Sequence, residues 1–127
     1  MRRKATSMMF VFLVAILATA IAAQAETLAW NAVTTYTDGT SIGSATVTYQ
    51  PYWTTDSTLA TGLTALGSSS TATTATFNID TVGLPRGSII YFTCKATVNG
   101  TASALATALS WNVPTKAPAA PSNLRMN

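Results

Sequence analysis

Ile89-Ile90-Tyr91-Phe92-Thr93-Cys94-Lys95-Ala96-Thr97-Val98 runs straight into Asn99-Gly100, and this stretch decides the fold. Ile90, Phe92, Cys94, Ala96 and Val98 occupy every second position, with Tyr91, Thr93, Lys95 and Thr97 between them. Successive side chains of a strand point to opposite faces, so this period of two describes one buried face and one wet face. Asn-Gly suits the positive φ angles of a tight two-residue turn. The chain after it should fold back antiparallel beside residues 89–98.

Working outward, the alternation recurs. Residues 27–33 set Leu28 and Trp30 on one side. In residues 44–53, Ala45, Val47, Tyr49 and Trp53 share a face opposite Thr46, Thr48, Gln50 and Tyr52. Ala75, Phe77 and Ile79 alternate with Thr74, Thr76 and Asn78. The last run is Leu105, Thr107, Leu109, Trp111 and Val113. Residues 102–109 are rich in alanine and leucine and read as helix on propensity, but the preceding turn and the alternation favour a strand. Residues 59–66 are read as a short edge strand. Asp38-Gly39, Gly67-Ser68 and Pro85-Arg86-Gly87 punctuate the runs. Six to seven short antiparallel strands predict an all-β, immunoglobulin-like sandwich.

The two ends differ from this body. Arg2, Arg3 and Lys4 precede an apolar stretch from Met8 to Ala23 that closes on Ala23-Gln24-Ala25. A charged start, an apolar run and small residues at a cleavage site read as an export signal over residues 1–25, removed before Glu26. The apolar run falls short of the ~20 residues needed to span a bilayer core. Residues 26–113 form the predicted sandwich. Residues 114–127, with Pro114, Pro118 and Pro121 among alanines, form an extended tail. The chain carries a net charge of +3, but the signal holds the excess. Arg86, Lys95, Lys116 and Arg125 then balance Glu26, Asp38, Asp56 and Asp80, so no basic footprint for nucleic acid remains.

The chemistry available to the chain is sparse. It has no histidine and one cysteine, which excludes Ser-His-Asp and Cys-His constellations and any internal disulfide. The four carboxylates belong to four different segments, without the spacing of a glycosidase pair or a calcium loop. These residues predict a non-enzyme with no cofactor and no metal. Cys94 has the parity of a small core residue. Asn99-Gly100-Thr101 matches a glycosylation sequon, but the turn already requires those residues.

Leu28-Ala29-Trp30, the Asp38-Gly39-Thr40-Ser41-Ile42-Gly43 loop and Gly83-Leu84-Pro85-Arg86-Gly87-Ser88 ahead of Tyr91-Phe92 resemble motifs of the fibronectin type III family, in its single-domain exported bacterial form. The resemblance covers residues 26–113 and implies a seven-stranded sandwich used for binding. Ile90 stands where the family carries a corner tyrosine, and Ala45 stands where it commonly has an aromatic. Glu26 begins almost at the family's second strand, so the first strand has no room and the second is expected to show a bare edge. The segment 117–125 looks like the opening of such a domain, placed after the last strand.

Two functions follow. One is a secreted, periplasmic or cell-surface module that binds or adheres to a protein or polysaccharide, with Tyr36, Tyr52 and Trp53 as candidate contacts, although Tyr52 and Trp53 also suit the capping of one end of the sandwich. The other is a structural subunit that donates its tail to the next copy, with Pro118, Pro121 and Leu124 as the candidate self-assembly residues.

Overall fold

The computed structural model describes residues 12–15 and 25–127. The expected signal segment therefore lies, apart from Phe12–Ala15 and Ala25, outside the described residues. The elements are β1 (Phe12–Ala15), β2 (Ala25–Trp30), β3 (Val47–Thr54), β4 (Thr64–Ala65), β5 (Thr74–Asn78), α1 (Ile79–Val82), β6 (Ile89–Val98), β7 (Thr101–Ala102) and β8 (Leu109–Asn112). One antiparallel sheet runs β1-β2-β5 and the other β4-β3-β6-β7, with β8 also paired to β6.

The alternation of β6 is visible as burial. Ile90, Phe92, Cys94, Ala96 and Val98 are all buried, and they meet Leu28, Trp30 and Phe77 from the other sheet. Asn99 (φ 50°) and Gly100 (φ 79°) make the tight turn expected of them. Phe92, Phe77 and Trp111 form one aromatic cluster with centroids 5.6–5.9 Å apart. Trp30 packs instead against Tyr49 at 5.8 Å, and the Tyr49 hydroxyl accepts the Val33 amide at 2.9 Å.

Four departures from the sequence reading have physical causes. The strand expected to reach Ile79 stops at Asn78, whose Oδ1 accepts from Asp80 N and Thr81 N and caps the one-turn α1. The edge strand read in residues 59–66 shrinks to Thr64–Ala65 because the Asp56 carboxylate gathers the loop before it. That carboxylate accepts from Thr58 N, Thr58 Oγ1, Ala60 N, Thr61 N and Thr61 Oγ1. The last run breaks into β7 and β8. The edge of β2, expected to be bare, is covered by β1, with Phe12 opposite Trp30 and Ala15 opposite Thr27. An uncovered β2 edge would leave unpaired backbone groups beside the core, and the nearest apolar segment in sequence satisfies them.

Glu26 shares the parity of Leu28 and Trp30 and is buried with them, 3% exposed, with Oε1 lacking a hydrogen-bond partner. Burial pushes its carboxyl above the ordinary 4.5, partly offset by the field of Arg86. The raised value favours the protonated form in the fold. Its contribution to stability is therefore full below the ordinary value and lost as pH rises through the raised one. Glu26→Gln should raise the melting temperature at pH 7, and the gap to the native chain should close below about pH 4, where both are uncharged. Thermal melts across pH 3.5–8 read this directly. Trp30→Ala, which removes one of the largest core side chains, should cost about 3–5 kcal/mol in denaturant titration.

Candidate binding groove

The groove lies where the loop between β2 and β3 meets the broken strand along β6. Residues 34–42 double back on themselves: Tyr36 N donates to Thr40 O, Gly39 N to Tyr36 O and Ile42 N to Thr34 O. Asp38 holds the tip, its Oδ1 accepting from Thr40 N at 2.9 Å and Thr40 Oγ1 at 2.6 Å, while Gly39 takes φ 87°. This small hairpin leaves Tyr36 among the few large hydrophobic side chains that are exposed.

The facing wall comes from a shift of register. β7 pairs Ala102 with Thr97, whereas β8 pairs Leu109 with Phe92, so residues 103–108 must pass residues 93–96 with two residues in excess. The surplus is a bulge anchored at three points. Ser103 N donates to Ala96 O, and Ser103 Oγ accepts from Ala96 N at 3.0 Å and donates to Ala104 O. Ala106 N donates to Cys94 O. Thr93 Oγ1 donates to Ala106 O at 2.8 Å. Thr93 belongs to the outer face of β6 by parity, yet it is fully buried, because Ala106 lies over it.

Between loop and bulge opens a groove of about 250 Å³, with Tyr36 and Thr37 on one wall, Ala102 and Ser103 on the other, and Ala96 and Val98 among its lining. Small apolar groups, a phenol ring and a few hydroxyls line it, without a charged side chain. Such a surface suits the flat face of a ring or a short uncharged segment, with hydroxyls to set orientation.

The three aspartates are engaged elsewhere. Asp38 and Asp56 organise their own turns, and the hydrogen bonds at Asp56 hold its carboxyl well below the ordinary range. Asp80 Oδ1 takes Nε and Nη2 of Arg86, at 3.0 and 2.9 Å, and its Oδ2 lies 3.8 Å from Lys116 Nζ. Cys94 is buried, and desolvation pushes its thiol up to about 12.

The three candidate aromatics do not converge. Tyr36 stands at the Val98 end of β6. Tyr52 and Trp53 pair with Thr93 and Phe92, five to six residues away, or about 17–20 Å at ~3.3 Å per residue. Tyr52 is half-buried on the outer face, with Lys95 Nζ 6.0 Å from its ring centroid. Trp53 packs against the core, and its Nε1 is buried without a partner. Thr37, Ala102 and Ser103 were not singled out from the sequence. Ala102 and Ser103 are marked there only by the conflict between helical composition and strand alternation after Asn99-Gly100, and Thr37 by nothing. In the tail every residue from Pro114 to Asn127 is exposed, including Pro118, Pro121 and Leu124.

The architecture is that of a fibronectin type III domain. A human domain described as a fourth fibronectin type III domain, solved in solution, superposes with a TM-score of 0.58 over 96% of this chain and 89% of its own, at 12% identity. No family model matches the sequence, and no curated protein matches it.

Ser103→Ala should leave the Ala96 amide without its acceptor and loosen the bulge, costing about 1–3 kcal/mol by chemical denaturation. Amide hydrogen exchange should accelerate at Ala96 and Ala106 while the β3–β6 ladder stays protected.

Proposed function

We propose that the chain is an exported, non-catalytic binding module of the cell envelope or extracellular space, and that the Tyr36 groove is where it engages a protein or polysaccharide. The observation that carries this reading is the open groove itself, placed beside the one exposed tyrosine and built from a loop and a strand bulge. Loops and bulges at a sheet margin can carry a binding surface without disturbing the core beneath. The fold supports the reading, since binding modules commonly use it. Apolar and hydroxyl lining without charge favours an uncharged sugar ring or a short neutral peptide segment over an ionic ligand.

Screening the chain against neutral polysaccharides and envelope proteins, alongside Tyr36→Ala, tests the assignment. Loss of a central aromatic contact is worth about 2 kcal/mol or more, so binding should weaken about 30-fold or more. Tyr52→Ala should leave it unchanged. Equal binding by the native chain and Tyr36→Ala would remove the groove from the reading.

The exposed tail favours a second reading, a structural subunit that assembles head to tail. Leu124 is 84% exposed and Met126 95%, in a segment that otherwise holds alanine, proline and polar groups.

A further inference from the structure

We infer that the outer edge of β2 is a strand-acceptor site, which Phe12–Ala15 occupies in the full chain and which residues 124–127 of a second copy fill once that segment is withdrawn. This rests on the head-to-tail reading and adds what the edge accepts and what controls access to it.

The acceptor is defined by β1. It pairs antiparallel with β2 over four residues: Phe12 with Trp30, Leu13 with Ala29, Val14 with Leu28 and Ala15 with Thr27. Opposed residues of an antiparallel pair share a face. Trp30 and Leu28 are 5% and 1% exposed, so positions opposite them belong to the core face, while those opposite Ala29 and Thr27 face outward. The edge therefore asks for large apolar residues at its first and third positions and tolerates polar ones at its second and fourth.

Residues 124–127, Leu-Arg-Met-Asn, answer that description. Set in the register of β1, Leu124 lies opposite Trp30, Arg125 opposite Ala29, Met126 opposite Leu28 and Asn127 opposite Thr27. Leu124 and Met126 are the tail's two large hydrophobic side chains and are almost fully exposed. In the free tail Asn123, just ahead of the four docking residues, sits at φ 60°, a conformation that asparagine tolerates.

A second copy is the occupant because of where the tail departs. Arg86 Nη1 donates to Pro114 O, and Arg86 also holds Asp80 of α1, which directly follows Asn78, the partner of Ala25. The tail therefore leaves beside the Ala25 end of β2. Antiparallel docking must begin at the Trp30 end, about 20 Å away along the six residues of β2. Reaching its own edge would require the tail to climb the domain and then reverse, whereas every tail residue is exposed. The ten residues 114–123 span up to about 33 Å, enough for either edge, so what selects a neighbour stacked below is direction: the tail enters its Trp30 end without reversing.

The test uses the full chain. Leu13→Pro/Val14→Pro removes β1 from the ladder, and deletion of residues 1–24 opens the same edge by another route. The native chain should elute as a monomer at all concentrations, and both opened forms should give concentration-dependent oligomers. Leu124→Asp/Met126→Asp should return them to monomers, which separates tail docking from clumping of the apolar segment. In the opened form, mixing a chain carrying Ala29→Cys with one carrying Arg125→Cys under an added oxidant, oxidised glutathione, should give an interchain disulfide at least tenfold faster than with β1 in place. Cys94, buried with its thiol raised to about 12, should stay silent. Oligomers that need Leu124 but form equally with β1 intact would overturn the gating and leave head-to-tail assembly standing. Monomers in both opened forms would overturn both. A chain bearing both new cysteines that closes on itself at every dilution would overturn the second copy as occupant.

Discussion

The structure depends on the backbone pairing of β6 along both of its edges. On one side eight residues of β3 run opposite Tyr91 to Val98 without interruption. On the other, two anchors hold the returning chain independently. The Asn99-Gly100 turn sets the register of β7, and the packing of Trp111 against Phe92 and Phe77 accompanies that of β8. These two registers differ by two residues, so the chain between them must leave the ladder. The groove beside Tyr36 is the consequence: the bulge throws Ala106 over Thr93 and sets Ser103 against Ala96. A candidate site thus arises from a conflict between two strong local preferences.

This origin explains what could and could not be read from the residues. β6, β3 and the turn between β6 and β7 are plain in the alternation, and the inward set from Ile90 to Val98 is buried as its parity requires. The bulge is hidden because an insertion of two residues preserves a period of two, so Leu105, Thr107, Leu109 and Trp111 still look like one strand. Phe77 and Ile79 likewise keep parity across the end of β5, and only the capping of α1 by Asn78 reveals the stop. Tyr36 could be recognised as a loop aromatic. Its partners across the groove lie more than sixty residues later and are small side chains with no local signal of their own. Glu26 shares the parity of Leu28 and Trp30, but a lone glutamate reads as exposed because carboxylates are seldom buried without a partner.

The edges of the two sheets complete the physical picture. In the larger sheet both margins are blunted: β4 is two residues long, and the β7–β8 margin is broken by its bulge. The margin of β2 is six regular residues, and it backs directly onto Leu28 and Trp30. Bulging or shortening β2 would cost the core its contacts, so this margin has to be covered by a separate strand. The described pairing runs from Phe12 opposite Trp30 to Ala15 opposite Thr27, and the buried Glu26 is the next inward position of β2. Over the four described pairs the edge asks for two apolar positions, opposite Trp30 and Leu28. That requirement is loose enough for more than one segment of the chain to meet, and narrow enough that the tail meets it in a single register.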